Sequence, residues 1–277
     1  MACIAVIQMV SGADVAENLA DASRLLRQAA EGGAQLVVLP ENFALLDSPA
    51  LRPLAEREQA EQLVSGFLSQ QAIELGLWLV AGSVPMVSRN DNTQVASPRV
   101  RAACLVVDNL GEVRARYDKI HLFDVEVADA HTSYRESDLC EAGDELVLVD
   151  TPVGRLGLTI CYDLRFPEQF QRLREQGAQL ISVPSAFTWV TGQAHWELLL
   201  RARAIETQCY ILGADQGGLH SETRQTWGQS MIVRPDGAIA GQLAQGAGVV
   251  FSEVDLEELG MIRQKMPVLA HRQKAGY

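Results

Sequence analysis

Apolar residues at Val15, Leu19, Ala22, Leu26 and Ala29 recur at spacings of 4, 3, 4 and 3, the period of one face of a helix. Asp14 and Glu17 stand where a capping pair would start that helix, and Gly32-Gly33 where it would stop. The AQLVVLP that follows is almost uninterruptedly apolar, the form of a short strand buried on both faces. Helix then buried strand is the rhythm of a parallel sheet, and it returns further along the chain. A helical pattern over about Ala55 to Leu75 leads into LWLVAGSV, Pro167 to Gln176 leads into QLISVP, and a helix around Gln193 to Gln208 leads into CYILGAD. The opening MACIAVIQMV reads as another buried strand. In AACLVVDNLGEVRARY and SMIVRPDGAIAGQL the Asn-Leu-Gly and Pro-Asp-Gly centres read as hairpin turns. The prediction is an α/β protein with mixed parallel and antiparallel pairing.

One internal echo cuts across this pattern. GAQLVVLPENF at Gly33 to Phe43 and GAQLISVPSAF at Gly177 to Phe187 share Gly, Ala, Gln, Leu, Pro and Phe in register. Two related halves follow, and the shared residues need only mean that the same αβ corner is built twice. The difference is more informative: Glu41 stands where the second copy has Ser185, so building the corner does not demand a carboxylate. No linker, charge block or low-complexity tract separates the halves. Residues 1–277 are expected to form a single domain with a C-terminal arm from about 256 to 277.

Composition narrows the partners. The 277 residues are 48% hydrophobic and 21% charged, with a formal net charge of -12, which repels phosphate backbones and anionic lipid. No nucleic acid and no membrane partner is expected. No apolar run approaches the ~20 residues of a bilayer-spanning helix, and the first Lys or Arg is Arg24, so the opening strand lacks the basic flank of an export signal. Five cysteines, an odd number with no CxxC pair, disfavour disulfides and zinc ribbons and fit a cytoplasmic chain. His121, His131, His195, His220 and His271 fall in no metal-ligand spacing, and no phosphate-cradling glycine loop is present. Neither metal nor organic cofactor is called for.

Three residues carry the candidate chemistry. Cys161 ends the apolar strand LGLTI ahead of YDLRFPE, at the carboxyl edge where open α/β sheets place their sites; it is either a nucleophile near a helix N-terminus or a buried structural thiol. Glu41 leaves its strand at the same edge, as a solvated loop residue or a tuned base. Lys119 is one of only three lysines among 23 basic residues, and the only one before Lys265. An ammonium is a compact point charge suited to a small oxyanion, although an ordinary strand-end lysine reads the same way.

Together, LPENF, YDKIHLFD and CYDLRFPE, in that order, resemble the Glu, Lys, Cys signature of the nitrilase superfamily of carbon-nitrogen hydrolases. GQAHWELLLRARAIETQCY and WGQSMIVRPDG extend the likeness over nearly the whole chain. The resemblance implies a four-layer αββα sandwich of the nitrilase type that forms a homodimer or higher homo-oligomer. It implies Cys161 as nucleophile, Glu41 as general base, and Lys119 with the Tyr162 backbone N–H as oxyanion donors. Glu136, in SYRES, matches a second family glutamate near the lysine. YRESD, PSAFTWVTGQAHWE and MPVLAHR most resemble the deaminated glutathione amidase branch, close to the omega-amidases that act on α-ketoglutaramate. The implied reaction turns a terminal carboxamide of a small molecule into acid plus ammonia through a cysteine thioester. Arg165 or Arg201 would meet a substrate carboxylate, and Phe187, Thr188 and Trp189 would line the pocket or belong to the core. Two rivals stand beside this: a Cys-His dyad using His121 or His195, and a non-catalytic binding module on the same scaffold.

Overall fold

The protein is described by a computed structural model over residues 1–46, 48–129 and 132–276; His131 lies outside the described residues. Strand alternation separates two cores. In β1 (Ala2–Gln8), Ile4 and Val6 belong to one buried cluster and Ala5 and Ile7 to another. Successive strand residues face opposite ways, so this strand lies between two layers. The chain continues through α1 (Val15–Glu31), β2 (Leu36–Leu39), α2 (Leu51–Glu61), α3 (Leu63–Leu75), β3 (Trp78–Ala81), β4 (Val84–Met86), β5 (Arg101–Val107) and β6 (Val113–Asp118). A short hairpin, β7 (Asp124–Glu126) with β8 (Ser133–Arg135), leads to β9 (Leu148–Thr151), β10 (Gly154–Leu158), α4 (Pro167–Glu175), β11 (Leu180–Ser185), α5 (Trp189–Thr207), β12 (Tyr210–Asp215), β13 (Met231–Val233) and β14 (Ile239–Gln242). β15 (Gly248–Val254) then returns to pair antiparallel with β1.

Two mixed sheets result. In the first, β1, β2 and β3 run parallel, and β15, β4, β5 and β6 add antiparallel pairs. In the second, β10, β11 and β12 run parallel, flanked by antiparallel β9 and by β13 and β14. Leu25, Leu26 and Leu68 of α1 and α3 cover Val37, Leu39 and Leu79 on the outside of the first sheet. Ile4, Val6, Leu36 and Val38 face the second sheet, whose own outer side is closed by Phe170 and Leu173 of α4 and Trp196 and Leu200 of α5. This is the expected αββα sandwich. Burying both faces of each sheet is what makes the central strands continuously apolar.

The echo is architectural down to its hydrogen bonds. Gly33 and Gly177 have φ of 82° and 99°, a left-handed turn that glycine adopts without steric cost. Ala34 and Ala178 each donate back into the preceding helix, to Ala29 and Leu173. Gln35 donates to Cys3 and accepts from Trp78, and Gln179 likewise donates to Arg155 and accepts from Tyr210. Each copy thereby feeds the middle strand of a parallel trio.

Two boundaries differ from the periodicity reading. The pattern over 55–75 is two helices, broken at Gln62, which adopts the left-handed conformation. The buried Glu58 carboxylate accepts from the Val64 N–H at 2.6 Å and so caps the second helix from inside the first. The helix expected from Gln193 starts earlier, at Trp189, because Thr188 accepts from the Thr191 N–H. Past β15, Asp255 caps α6 (Leu256–Lys265), and Arg263 donates to the Ala178 and Gln208 carbonyls at 2.8 and 2.9 Å. A last helix, α7 (Val268–Ala275), has no buried residue.

Candidate active site

The two parallel trios open toward one cavity of about 520 Å3, lined by Glu41, Lys119, Glu136 and Cys161 among others. Each arrives there for a local reason. Glu41 follows β2, and Gly82, at the end of β3, presses against that corner: a Cβ there would sit 1.9 Å from the Pro40 carbonyl oxygen. The next turn is fixed by Asn42, whose N–H donates to Ser83 Oγ at 2.9 Å. Lys119 leaves β6 with its N–H donating to Ala102 and its carbonyl accepting from Gly143. Glu136 opens a short 3-10 turn, and its carboxylate accepts the Phe123 N–H at 2.6 Å. Cys161, with φ 47°, sits on the sharp turn after β10, a conformation that costs a non-glycine residue on the order of 1–3 kcal/mol.

The four side chains converge. Lys119 Nζ lies 2.8 Å from Glu41 Oε1 and 2.8 and 2.9 Å from the two Glu136 oxygens. Lys119 is 2% exposed and Glu41 5%, whereas Glu136 keeps 20% of its side chain open. Two groups bear on the Cys161 thiol from different corners, the Glu41 carboxylate raising its proton affinity and the Ala186 backbone N–H lowering it. That N–H comes from the corner after β11.

Burial and neighbouring charge decide the protonation. Burial pushes the Cys161 thiol well above its ordinary value, and the Glu41 carboxylate pushes the same way against the opposing pull of Lys119. The thiol therefore rests neutral. Burial alone would lower Lys119, but Glu136 and Glu41 outweigh it and hold the ammonium charged. Burial raises the Glu136 carboxyl, with Lys119 opposing. A neutral thiol next to a carboxylate and a fixed ammonium is equipped for nucleophilic attack on a carbonyl.

Several supports had escaped the sequence reading. Asp163, fully buried, accepts from the Ile160 N–H at 2.8 Å and the Tyr117 hydroxyl at 2.6 Å, and from the His121 N–H at 3.1 Å. One carboxylate thus ties the cysteine turn to the end of the lysine strand. Its place two residues after Cys161, at the start of a turn, was the available signal. At the end of β12, Gln216 donates to the Glu41 carbonyl at 3.1 Å, and Asp215 accepts the Phe187 N–H at 2.9 Å. Burial pushes the Asp215 carboxyl well above the usual carboxylate range.

The remaining expected residues divide. Tyr162, Arg165, Phe187 and Thr188 line the cavity. Arg165 lies over the Tyr162 and Phe187 rings, 5.8 and 5.3 Å from their centroids. Arg201 does not reach the cavity: it donates to the Gly237 carbonyl and pairs with Glu197 along α5. Trp189 also turns away, packing edge-on to Trp227 at 5.0 Å. The histidines of the rival dyad are engaged elsewhere, His121 with Asp163 at 2.7 Å and His195 with Arg165 at 3.1 Å. Among the described residues no group of three His, Cys, Asp or Glu is gathered to hold a metal, and no helix is long and apolar enough to cross a membrane.

Comparison with known proteins agrees with this geometry. The profile of the carbon-nitrogen hydrolase family matches residues 3–264. A deaminated glutathione amidase of Yersinia enterocolitica is 47% identical over 274 residues, covering 98% of this chain and 92% of its own length. The crystal structure of the C. elegans NitFhit protein superposes with a TM-score of 0.89 at 39% identity, over 100% of this chain and 67% of that one. An amidase variant from Nesterenkonia sp. AN1, carrying acrylamide on its active-site cysteine, superposes with a TM-score of 0.78 at 25% identity over 99% of both chains. A family match along nearly the whole length, with relatives this similar, makes the chain a member of the carbon-nitrogen hydrolase family, a hydrolase of carbon–nitrogen bonds other than peptide bonds.

Proposed function

We propose that this chain is a deaminated glutathione amidase working through Cys161. The observation that carries the reading is the single buried cluster in which Lys119 bridges Glu41 and Glu136 and the Glu41 carboxylate bears on the Cys161 thiol. Glu41 takes the thiol proton as the sulfur attacks the amide carbonyl. Lys119 and the Tyr162 backbone N–H bear the negative charge on the carbonyl oxygen. Collapse of the tetrahedral intermediate breaks the C–N bond, and Glu41 returns the proton to the departing nitrogen. Water, deprotonated by the same carboxylate, then cleaves the thioester, releasing the acid and restoring the thiol. No cofactor enters these steps.

The name of the relatives' substrate changes one expectation. Deaminated glutathione carries no terminal carboxamide: its γ-acyl group is joined to the nitrogen of a cysteinylglycine. The nitrogen that leaves is then that of a dipeptide, and ammonia leaves only from a primary amide such as α-ketoglutaramate. A cavity of about 520 Å3 suits the larger molecule. Arg165, which lines the cavity, is the cation available to an α-keto carboxylate on the acyl side of either substrate.

Incubation with deaminated glutathione should yield 2-oxoglutarate and cysteinylglycine, with a transient acyl adduct on Cys161 seen by mass spectrometry. Cys161→Ala should fold and release neither product; full turnover by that variant would falsify the assignment. A homodimer is proposed alongside: Leu198 and Ile205 of α5, 68% and 52% exposed, offer an apolar face to a second copy, and sedimentation would read the mass. The five unpaired cysteines support a cytoplasmic location.

A further inference from the structure

An aromatic wall runs along the cavity with a guanidinium at each end. Arg165 lies 5.8 Å from the Tyr162 centroid, Tyr162 meets Phe123 edge-on at 5.1 Å, Phe123 meets Tyr134 at 5.2 Å, and Arg224 lies 5.2 Å over Tyr134. All of these residues line the cavity. Arg165 is next to the reacting cluster, four residues past Cys161 on the same turn. Arg224 arrives from a different loop, between β12 and β13. Among the described residues neither guanidinium lies within ion-pair distance, 4.0 Å, of a carboxylate. The Asp129 carboxylate near the far end accepts the Tyr134 hydroxyl at 2.8 Å.

The Arg224 loop is held in place. Thr226 donates to the Gly218 carbonyl, His220 donates its N–H to the Arg224 carbonyl, and the Arg224 N–H donates to Ser221 Oγ. The His220 ring spans the loop and the segment that follows β1, with Nδ1 2.7 Å from the Ser11 carbonyl and Nε2 2.6 Å from Thr226 Oγ1. Burial holds that imidazole down at about 4, so it stays neutral and the pin does not loosen around neutral pH. Ser11 also donates to the Phe43 carbonyl, two residues from Glu41. The remote cation is therefore set in a fixed relation to the general base.

We propose that Arg224 forms an anion subsite for the carboxylate of the leaving group, so that the cavity selects amides bearing a carboxylate on both sides of the scissile bond. This rests on the amidase reading above and extends it from the acyl side, where Arg165 lies, to the amine side. Arg224 lies over Tyr134 and pulls on its phenol, and a planar guanidinium so placed has further N–H groups to offer a carboxylate. A substrate whose leaving group is ammonia has nothing to place there. Arg135, on the rim and half exposed, shares the mouth of the cavity but pairs loosely with Glu126 at 4.0 Å.

The test compares deaminated glutathione with its C-terminal amide, which lacks only the distal charge. In the wild-type protein the amidated analogue should lose about 10- to 100-fold in kcat/KM, mostly through KM, the range of a charge-assisted hydrogen bond. Arg224→Gln should lower kcat/KM for deaminated glutathione by a similar factor and should abolish the preference between the two. Arg224→Lys should restore part of it. Equal losses on both substrates, or a preference that survives Arg224→Gln, would overturn the subsite. Calorimetric binding of both compounds to Cys161→Ala, with and without Arg224→Gln, keeps the subsite separate from the chemistry. If the wild-type protein cleaves neither amide but binding of the dianion still depends on Arg224, the amidase reading fails and the subsite stands. If Cys161→Ala binds neither compound, the subsite is refuted.

Discussion

Replacing Lys119 by Met tests the charge cluster from both its catalytic and its structural side. The ammonium makes three contacts of 2.8 to 2.9 Å with two carboxylates while only 2% exposed. At ~4 Å between charges and an effective dielectric near 20, each pair is worth about 4 kcal/mol of attraction, which offsets the cost of burying all three groups. Met fills the space and removes the attraction, leaving two carboxylates facing one another. Breaking a buried pair in this way costs about 3–5 kcal/mol. At about 2–4 °C per kcal/mol for a chain of this class, Tm should fall by roughly 6–20 °C at pH 8. Loss of one oxyanion donor alone costs ~10²- to 10³-fold in kcat, and a disturbed Glu41 adds to that. The pH dependence carries the sign. Burial raises the Glu136 carboxyl above its unfolded value even beside Lys119, and without the opposing ammonium that same carboxyl rises further. A group raised on folding stabilises below its unfolded pKa and loses that contribution as pH climbs through the folded one. The Tm deficit of Lys119→Met should therefore grow from pH 5 to pH 8. Adding Glu136→Gln should recover most of the stability and none of the activity. Differential scanning calorimetry at the two pH values, with amide turnover measured in parallel, checks each step. A deficit that is constant with pH, or activity within tenfold of wild type, would refute the reasoning.

Two further substitutions probe the supports. Asp163→Asn leaves one oxygen where two accepted from Ile160, Tyr117 and His121; stopped-flow acylation should slow by at least tenfold with little change in KM, and Tm should fall by several degrees. Asp215→Asn should do the opposite to stability. Its carboxyl is raised by burial, so the native protein loses stability as pH rises, and the neutral amide should gain a few degrees over wild type at pH 8 and little at pH 5. A gain at pH 5 equal to that at pH 8 would show that Asp215 is not held protonated.

Sequence order made the elements legible and left their meetings hidden. Helix α1 was readable because its cap, period and glycine stop all lie within twenty residues, and the same holds for the αβ corners. The break at Gln62 was not, since Glu58 caps Val64 through a side chain that periodicity counts as helical surface. Glu41, Lys119 and Cys161 were identifiable by resemblance, but nothing local told Arg165 from Arg201. Both are arginines near a candidate site; one sits on the turn that carries Cys161, the other on the face of α5 that meets Gly237. Asp215 and Gln216 were invisible for a related reason. Their partners Phe187 and Glu41 lie on the two echo corners, and a strand ending in Asp-Gln carries no mark of what its side chains will reach.

Those two residues explain what the duplicated corner is for. The first copy ends in Glu41, whose carboxylate raises the Cys161 thiol; the second ends in Ser185 and Ala186, whose backbone N–H lowers it. Gln216 fixes the first corner through the Glu41 carbonyl and Asp215 fixes the second through the Phe187 N–H. One strand end, β12, thereby helps set the separation between the Glu41 carboxylate and the Ala186 N–H. Of the five positions at which the two corners differ, Glu41 against Ser185 is the one that changes charge, and it sets a single carboxylate beside the Cys161 thiol. The shared Gly, Ala, Gln, Leu and Pro remained, because each serves the same backbone geometry in both halves. Symmetry in the scaffold, with a carboxylate in only one of its two copies, is what lets corners of different chemistry bear on a single cysteine turn.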